Sequence, residues 1–173
     1  MKYSINYIKT MPDIFADAYL GGPDRKLYNY KEDGQWKSYT YRQVLETSER
    51  IGFGLRSLGL KEQDKVGILS ENRPEWGMTD WACAHFNMVS VPIYQTSIPS
   101  QVEYIVGHSG CKVVFVSNKE QALKVIPLKS VLKSLQYLVL MNNEHFDDNW
   151  ILTFDELLKK GDIEKHSSDI SMR

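Results

Sequence analysis

The sequence predicts a layered α/β fold, a mostly parallel sheet with flanking helices and an N-terminal β-hairpin. Three observations carry this. Short apolar, β-branched runs recur at 65–70, 89–94, 112–116 and 137–141. Segments of helical period fall between them, and that alternation is the signature of parallel strands joined by crossover helices. Ahead of them, two aromatic-rich runs flank Glu32-Asp33-Gly34, where Asp-Gly is a hairpin turn signal.

Met11 to Tyr19 reads as a short helix closed by Gly21-Gly22-Pro23-Asp24. The hairpin takes Lys26–Tyr30 and Trp36–Thr40. Thr40 is then a good N-cap for a helix whose apolar face holds Tyr41, Val44, Leu45, Ile51, Leu55 and Leu58. Gly59 is placed for a left-handed C-terminal cap. Gly52 and Gly54 lie inside this helix, where each costs about 1 kcal/mol relative to Ala, so a close neighbour is expected there.

Lys65–Ser70 reads as a strand covered on both faces. Pro74 suits the first turn of the next helix and Glu75 complements its dipole; Trp76, Cys83 and Phe86 share a face. Pro92 marks the following strand as an edge or bulged strand. Ser100-Gln-Val-Glu103 has the form of a capping box, opening a helix that stops at Gly110. After the 112–116 strand, Asn118 caps a short helix to about Val125, and Leu128, Val131, Leu132 and Leu135 suggest a second helical face from Pro127. Asn142–Asn149 reads as a polar loop. Thr153-Phe-Asp-Glu156 is a second capping box, with Gly161 as the stop. Residues 1–161 thus form one α/β unit, and 162–173 a polar tail expected to be disordered.

The bulk properties narrow the function classes. A net charge of −1 with interspersed signs points to no nucleic acid. Two cysteines, Cys83 and Cys111, lie in apolar patterns and read as buried reduced thiols rather than a disulfide framework. Met1–Thr10 has no apolar core of a signal peptide, and no apolar run approaches the roughly 20 residues of a membrane span. A cytoplasmic location is therefore expected.

Local chemistry is sparse. Neither a Walker A loop nor a strand-linked G-x-G-x-x-G occurs. His85, His108, His145 and His166 have no partners at metal-ligand spacing, and Asp147-Asp148 reads as a solvated loop. No catalytic, cofactor-binding or metal-binding residue is assigned, and substrate contacts are unknown. The 70–76 segment reads as a capped strand-to-helix turn, with a face toward a substrate or a neighbouring subdomain as its second reading.

Several motifs resemble the acyl-adenylate-forming superfamily. Tyr39-Thr-Tyr-Arg-Gln-Val44 is similar to its first adenylation motif, and the helix that follows ends Leu58-Gly-Leu-Lys-Glu-Gln-Asp-Lys-Val66, with Gln63 where Gly is usual. Val66-Gly-Ile-Leu-Ser-Glu-Asn-Arg-Pro-Glu-Trp76 resembles the long-chain fatty-acyl-CoA synthetase branch. Asn87-Met-Val-Ser-Val-Pro-Ile-Tyr-Gln-Thr96 is similar to the second adenylation motif, with Asn87 where Gly is usual; Asn tolerates positive φ, so the turn is expected to survive.

The resemblance covers roughly Met11 to Gly161 and implies the N-terminal part of an AMP-forming, long-chain fatty-acid–CoA ligase. Such an enzyme joins a fatty carboxylate to AMP from ATP, releasing pyrophosphate, and then passes the acyl group to the CoA thiol. ATP, Mg²⁺ and CoA are its cofactors, and the rest of the polypeptide and a long-chain fatty acid its partners; peripheral attachment to a membrane is a variant of the location. The family's Ser/Thr/Gly-rich phosphate loop followed by Pro-Lys does not occur here, so this stretch alone is expected to be inactive, to hold none of the cofactors tightly, and to self-associate through exposed apolar surface. A standalone α/β binding module, and a piece of another adenylate-former such as an aryl-CoA ligase or a peptide-synthetase adenylation domain, are the alternatives.

Overall fold

The computed structural model describes residues 10–171, with side chains through 166; the reading of Met1–Thr10 therefore lies, but for Thr10, outside the described residues. The helices are α1 Met11–Leu20, α2 Tyr41–Ser57, α3 Pro74–His85, α4 Pro99–Ser109, α5 Lys119–Val125 and α6 Phe154–Ser171. The strands are β1 Lys26–Glu32, β2 Gln35–Thr40, β3 Lys65–Leu69, β4 Val89–Ile93, β5 Val113–Val116, β6 Tyr137–Leu140 and β7 Ile151–Thr153.

β1 and β2 form the expected antiparallel hairpin, with Glu32 opposite Gln35 across the turn. Asp33 (φ 50°) and Gly34 (φ 77°) both take the positive φ that a two-residue primed turn demands. The other five strands form one parallel sheet in the order β4-β3-β5-β6-β7. Pro92 indeed lies on the edge strand β4.

Strand alternation sorts the apolar side chains into two layers. Val66, Ile68, Val113, Phe115, Val139 and Leu152 face one cluster, which α2, α3 and α6 close with Val44, Ile51, Leu55, Met78, Cys83 and Leu157. Leu69, Val114, Val116, Leu138, Leu140 and Ile151 face the other, closed by α4 and α5 through Val102, Val106, Ala122 and Val125. Helices thus cover both sides, which is why the strands read as continuous apolar runs.

The caps explain most of the boundaries. Thr40 Oγ1 accepts from Gln43 N while Gln43 Oε1 accepts from Thr40 N. Asn118 Oδ1 accepts from Gln121 N. Gly59 and Gly110 adopt φ 88° and 70° at the ends of α2 and α4. The interior glycines of α2 have the expected neighbours: a Cβ on Gly52 would lie 2.2 Å from the Phe86 ring, and one on Gly54 2.6 Å from the Leu157 carbonyl oxygen.

Four readings need correction. The box at Ser100–Glu103 is not the start of α4: Pro99 opens the helix, and Gln101 Oε1 reaches back to accept from Ile98 N at 3.1 Å. Proline at the first position fixes φ and wins over the later Ser. The second helical face from Pro127 is a short 3₁₀ turn, Ile126–Ser130, followed by irregular chain. A seventh strand, Ile151–Thr153, is hidden in the sequence by its length and pairs with β6. Finally, Gly161 does not stop the last helix, and residues 162–171 are helix rather than disordered tail.

The cause of this last difference is α2. Leu157 meets Gly54, Gly161 meets Arg50, and Lys165 meets Glu49, a stepping that sets α6 antiparallel along α2. Arg50 Nε and Nη2 donate to the two Asp162 carboxylate oxygens at 2.7 Å each, and Lys165 Nζ donates to Glu49 at 2.6 Å. Polar residues here serve an interhelical seam, so polarity alone misread them.

Gln63 and Asn87, the two departures from Gly in the resemblance, are both held at positive φ, 63° and 54°. The two residues brace each other: Gln63 N donates to Asn87 O at 2.6 Å, Gln63 Nε2 to Asn87 Oδ1 at 2.8 Å, and Asn87 Nδ2 to Glu62 Oε2 at 3.0 Å. Asn87→Ala keeps the left-handed strain and loses the side-chain bonds, so a loss of about 1–2 kcal/mol in urea unfolding is expected. Asn87→Gly relieves the strain and is expected to lose less.

Acid sensitivity follows from two carboxylates. Burial works to raise Asp64, but the Lys112 ammonium at 2.8 Å and the Lys61 N–H at 2.7 Å outweigh it and hold the carboxyl below its ordinary range. Glu156 is held down chiefly by the Thr153 N–H at 2.7 Å. A depressed folded-state pKa gives stability that is present above the unfolded value and is lost as pH falls through the folded one. Stability is therefore expected to decline below about pH 4. Asp64→Asn should flatten that decline in pH-dependent melting.

Candidate functional site

In a parallel sheet the strand carboxyl ends point one way, and a crevice opens where successive connections leave in opposite directions. Here that point lies between β3 and β5: the chain leaves β3 for β4 on one side and returns past it to β5 on the other. α3 closes one face on the first crossover and α4 the other on the second.

The 70–76 segment leaves β3 at this crevice. It is a strand-to-helix turn, as its first reading held, although its N-cap residue Arg73 makes no side-chain cap bond. Arg73 instead bridges the switch point. Its Nη1 donates to Ser117 O at 3.2 Å and its Nε to Glu75 Oε2 at 2.7 Å. Burial opposes its charge, but the carboxylates of Glu75 and Glu71 keep the guanidinium firmly protonated. Ser70 and Ser117, the residues that follow β3 and β5, are buried, as are Ser97 after β4 and Gln121 in α5, and Ser117 Oγ and Gln121 Oε1 meet no partner among the described residues.

Beside the crevice lies a cleft of about 740 Å³. One wall is β1 from Tyr28 to Glu32, with Trp36 of β2; the other is the turn from Glu71 to Gly77. α3 positions the hairpin: Trp81 Nε1 donates to Tyr28 Oη at 3.0 Å, and a Cβ on Gly77 would lie 2.4 Å from that oxygen. The 70–76 turn therefore borders this cleft. The contribution of the hairpin could not be read from spacing, because the two walls are some 40 residues apart in sequence.

This cleft is a poor phosphate cradle. Pro74 removes an N–H from the start of α3, Arg73 is already engaged, and Glu71 and Glu75 would repel an anion. The implied ATP and Mg²⁺ therefore do not fit the residues present, and among the described residues no three His, Cys, Asp or Glu side chains group to hold a metal.

His85 packs against Phe15 and Trp81, and burial lowers its pKa. His108 stacks on Tyr104. Asp147 and Asp148 are exposed in their loop. Both thiols are buried and free; burial, with the nearby Asp80 charge, pushes Cys83 up to about 12, and burial raises Cys111. Neither is a nucleophile at neutral pH. Among the described residues no helix is long and apolar enough to cross a membrane.

Comparison with known proteins now decides the family. Residues 15–171 match the family model of the AMP-binding enzymes. The chain belongs to that family. The curated relatives of this chain include the long-chain-fatty-acid–CoA ligase 5 of Rattus norvegicus, 28% identical over 92% of this chain and 23% of the relative. Fatty acyl-CoA synthetase A of Dictyostelium discoideum is 36% identical over 55% of this chain and 14% of its own length. The chain thus spans about a quarter or less of the relatives it matches. Among solved structures, a coronafacic acid ligase from Pectobacterium brasiliense superposes with a TM-score of 0.75 at 17% identity, over 87% of this chain and 29% of the other. An anthranilate CoA ligase gives 0.74 at 21% over 87% and 27%. At that identity these two establish the fold alone.

Proposed function

We propose that this chain forms the N-terminal part of an AMP-forming long-chain fatty-acid–CoA ligase and serves there as scaffold. The observation that carries the reading is the relation to the rat ligase, in which 92% of this chain aligns with only 23% of the relative. The chain supplies the parallel sheet, its switch-point crevice and the hairpin, against which a catalytic portion packs. ATP, Mg²⁺ and CoA belong to that portion, because the Glu71- and Glu75-lined cleft is unsuited to phosphate. No catalytic step is placed on a residue of this chain, and on its own it is inactive. The exposed Tyr94, Ile98 and Tyr104, beside edge strand β4, suit both docking of the catalytic portion and self-association of the isolated chain. Light scattering should show assembly that grows with concentration.

The test is a chimera in which these residues replace the matched segment of the rat ligase. It is expected to form palmitoyl-CoA from palmitate, ATP and CoA, and to prefer palmitate to benzoate or amino acids. A folded chimera that makes no acyl-CoA, or that prefers benzoate, would sink the reading.

A further inference from the structure

Among the described residues the outer edge of the hairpin is open, since β1 pairs with β2 and with no other strand there. Glu32 and Gln35 flank a two-residue turn and exchange both backbone bonds, so Tyr30 with Lys37 is the next such pair. Asn29 and Lys31, opposite Ser38 and Trp36, therefore turn their N–H and C=O groups outward. No loop or helix backbone group among the described residues meets them.

That edge is a wall of the cleft beside the switch point. A groove lying over a hairpin's face would be lined by alternate residues of both strands. This one is lined by five consecutive residues of β1, Tyr28 to Glu32, and by Trp36 alone from β2. It therefore runs along the edge, and five extended residues would occupy about 17 Å of it. The opposite wall has carboxylate in excess: Glu71 and Glu75 share the single cation Arg73, Glu75 holds its Nε, and the Glu71 carboxylate accepts no hydrogen bond among the described residues. Trp36, 75% exposed at the rim, offers apolar cover.

We infer that this cleft receives an extended segment from elsewhere in the same longer enzyme, which adds to β1 as a third strand and sets a basic side chain against Glu71. The inference rests on the scaffold reading above. Outward main-chain groups of Asn29 and Lys31 supply the bonds, as in strand addition generally, and the carboxylate excess selects the charge. The rat relative leaves more than three quarters of its length outside the match, which is ample to supply such a segment.

The probe is the capped peptide Thr-Val-Lys-Val-Thr, with a Glu-centred twin, titrated into the isotope-labelled 173-residue chain and followed by NMR. Saturable shifts at the amides of Asn29, Lys31 and Glu71 are expected, with the twin about tenfold weaker. Lys31→Pro removes an outward N–H while leaving the hairpin's own bonds, and should abolish binding with the unfolding midpoint unchanged. Glu71→Gln, a change outside the core, should erase the difference between the peptides. Shifts that do not saturate or that fall elsewhere, or undiminished binding by Lys31→Pro, would overturn the proposal. A second arm presents overlapping peptides from the unmatched length of the rat ligase: capture of a basic extended segment supports the intramolecular source, and capture of none overturns it. The chimera's activity is read separately, so failure of the ligase reading and failure of strand addition give different results.

Discussion

Gly161→Ala unfolds at markedly lower urea concentration than the wild type, with an expected loss of about 3 kcal/mol or more. On helix propensity alone the change should stabilise by about 1 kcal/mol, because Gly161 is internal to α6. Packing reverses the sign. A Cβ there would lie 1.9 Å from the Arg50 carbonyl oxygen and 3.0 Å from its Cα. Both are backbone atoms, so no rotamer change relieves the clash and the two helices must part. Parting them strains the neighbouring contacts, the Gly54–Leu157 approach and the twin Arg50–Asp162 bonds. An unchanged or raised midpoint would mean that α6 does not lie on α2.

Phe115→Ala is expected to cost about 3–5 kcal/mol, the range for deleting a fully buried aromatic side chain. Phe115 is 0% exposed, and it sits on β5 with Ile68 of β3 and Val139 of β6 as its register neighbours. β5 is the middle strand of the sheet, so collapse around the deletion would have to move strands on both sides. Small domains are stable by only about 5–15 kcal/mol, and the loss is a large share of that. Equilibrium unfolding by circular dichroism reads it, and an effect below about 1 kcal/mol would contradict the central place given to β5.

Much of this fold is legible in local chemistry. Asp33-Gly34 specifies its hairpin because both residues accept positive φ, and Thr40 with Gln43 specifies the start of α2. The glycines at 52 and 54 signal close approach, which Phe86 and Leu157 confirm. What local pattern misjudges is the part decided by tertiary contact. The stretch from 162 on looks like a solvated tail because the partners of Asp162 and Lys165, Arg50 and Glu49, lie more than a hundred positions away. β7 is three residues long and takes its strand character from pairing with β6. Strand order has no local signal at all, and with it goes the position of the switch point.

The candidate site divides the same way. The 70–76 turn is recognisable from Pro74 and Glu75, and its resemblance to the acyl-CoA synthetase branch comes from the same residues. Its bridging of β3 and β5 through Arg73 and Ser117, and its facing of β1 across the cleft, exist only once the chain is folded.

As proposed above, this chain is the scaffold of a ligase and does none of its chemistry. The most direct test incubates the purified 173-residue chain with ATP, Mg²⁺, palmitate and CoA and measures palmitoyl-CoA and AMP. The account predicts neither product above a protein-free control. Palmitoyl-CoA formed in proportion to the amount of chain would contradict it, and would place a phosphate-handling site on these residues that Glu71, Glu75 and the engaged Arg73 argue against.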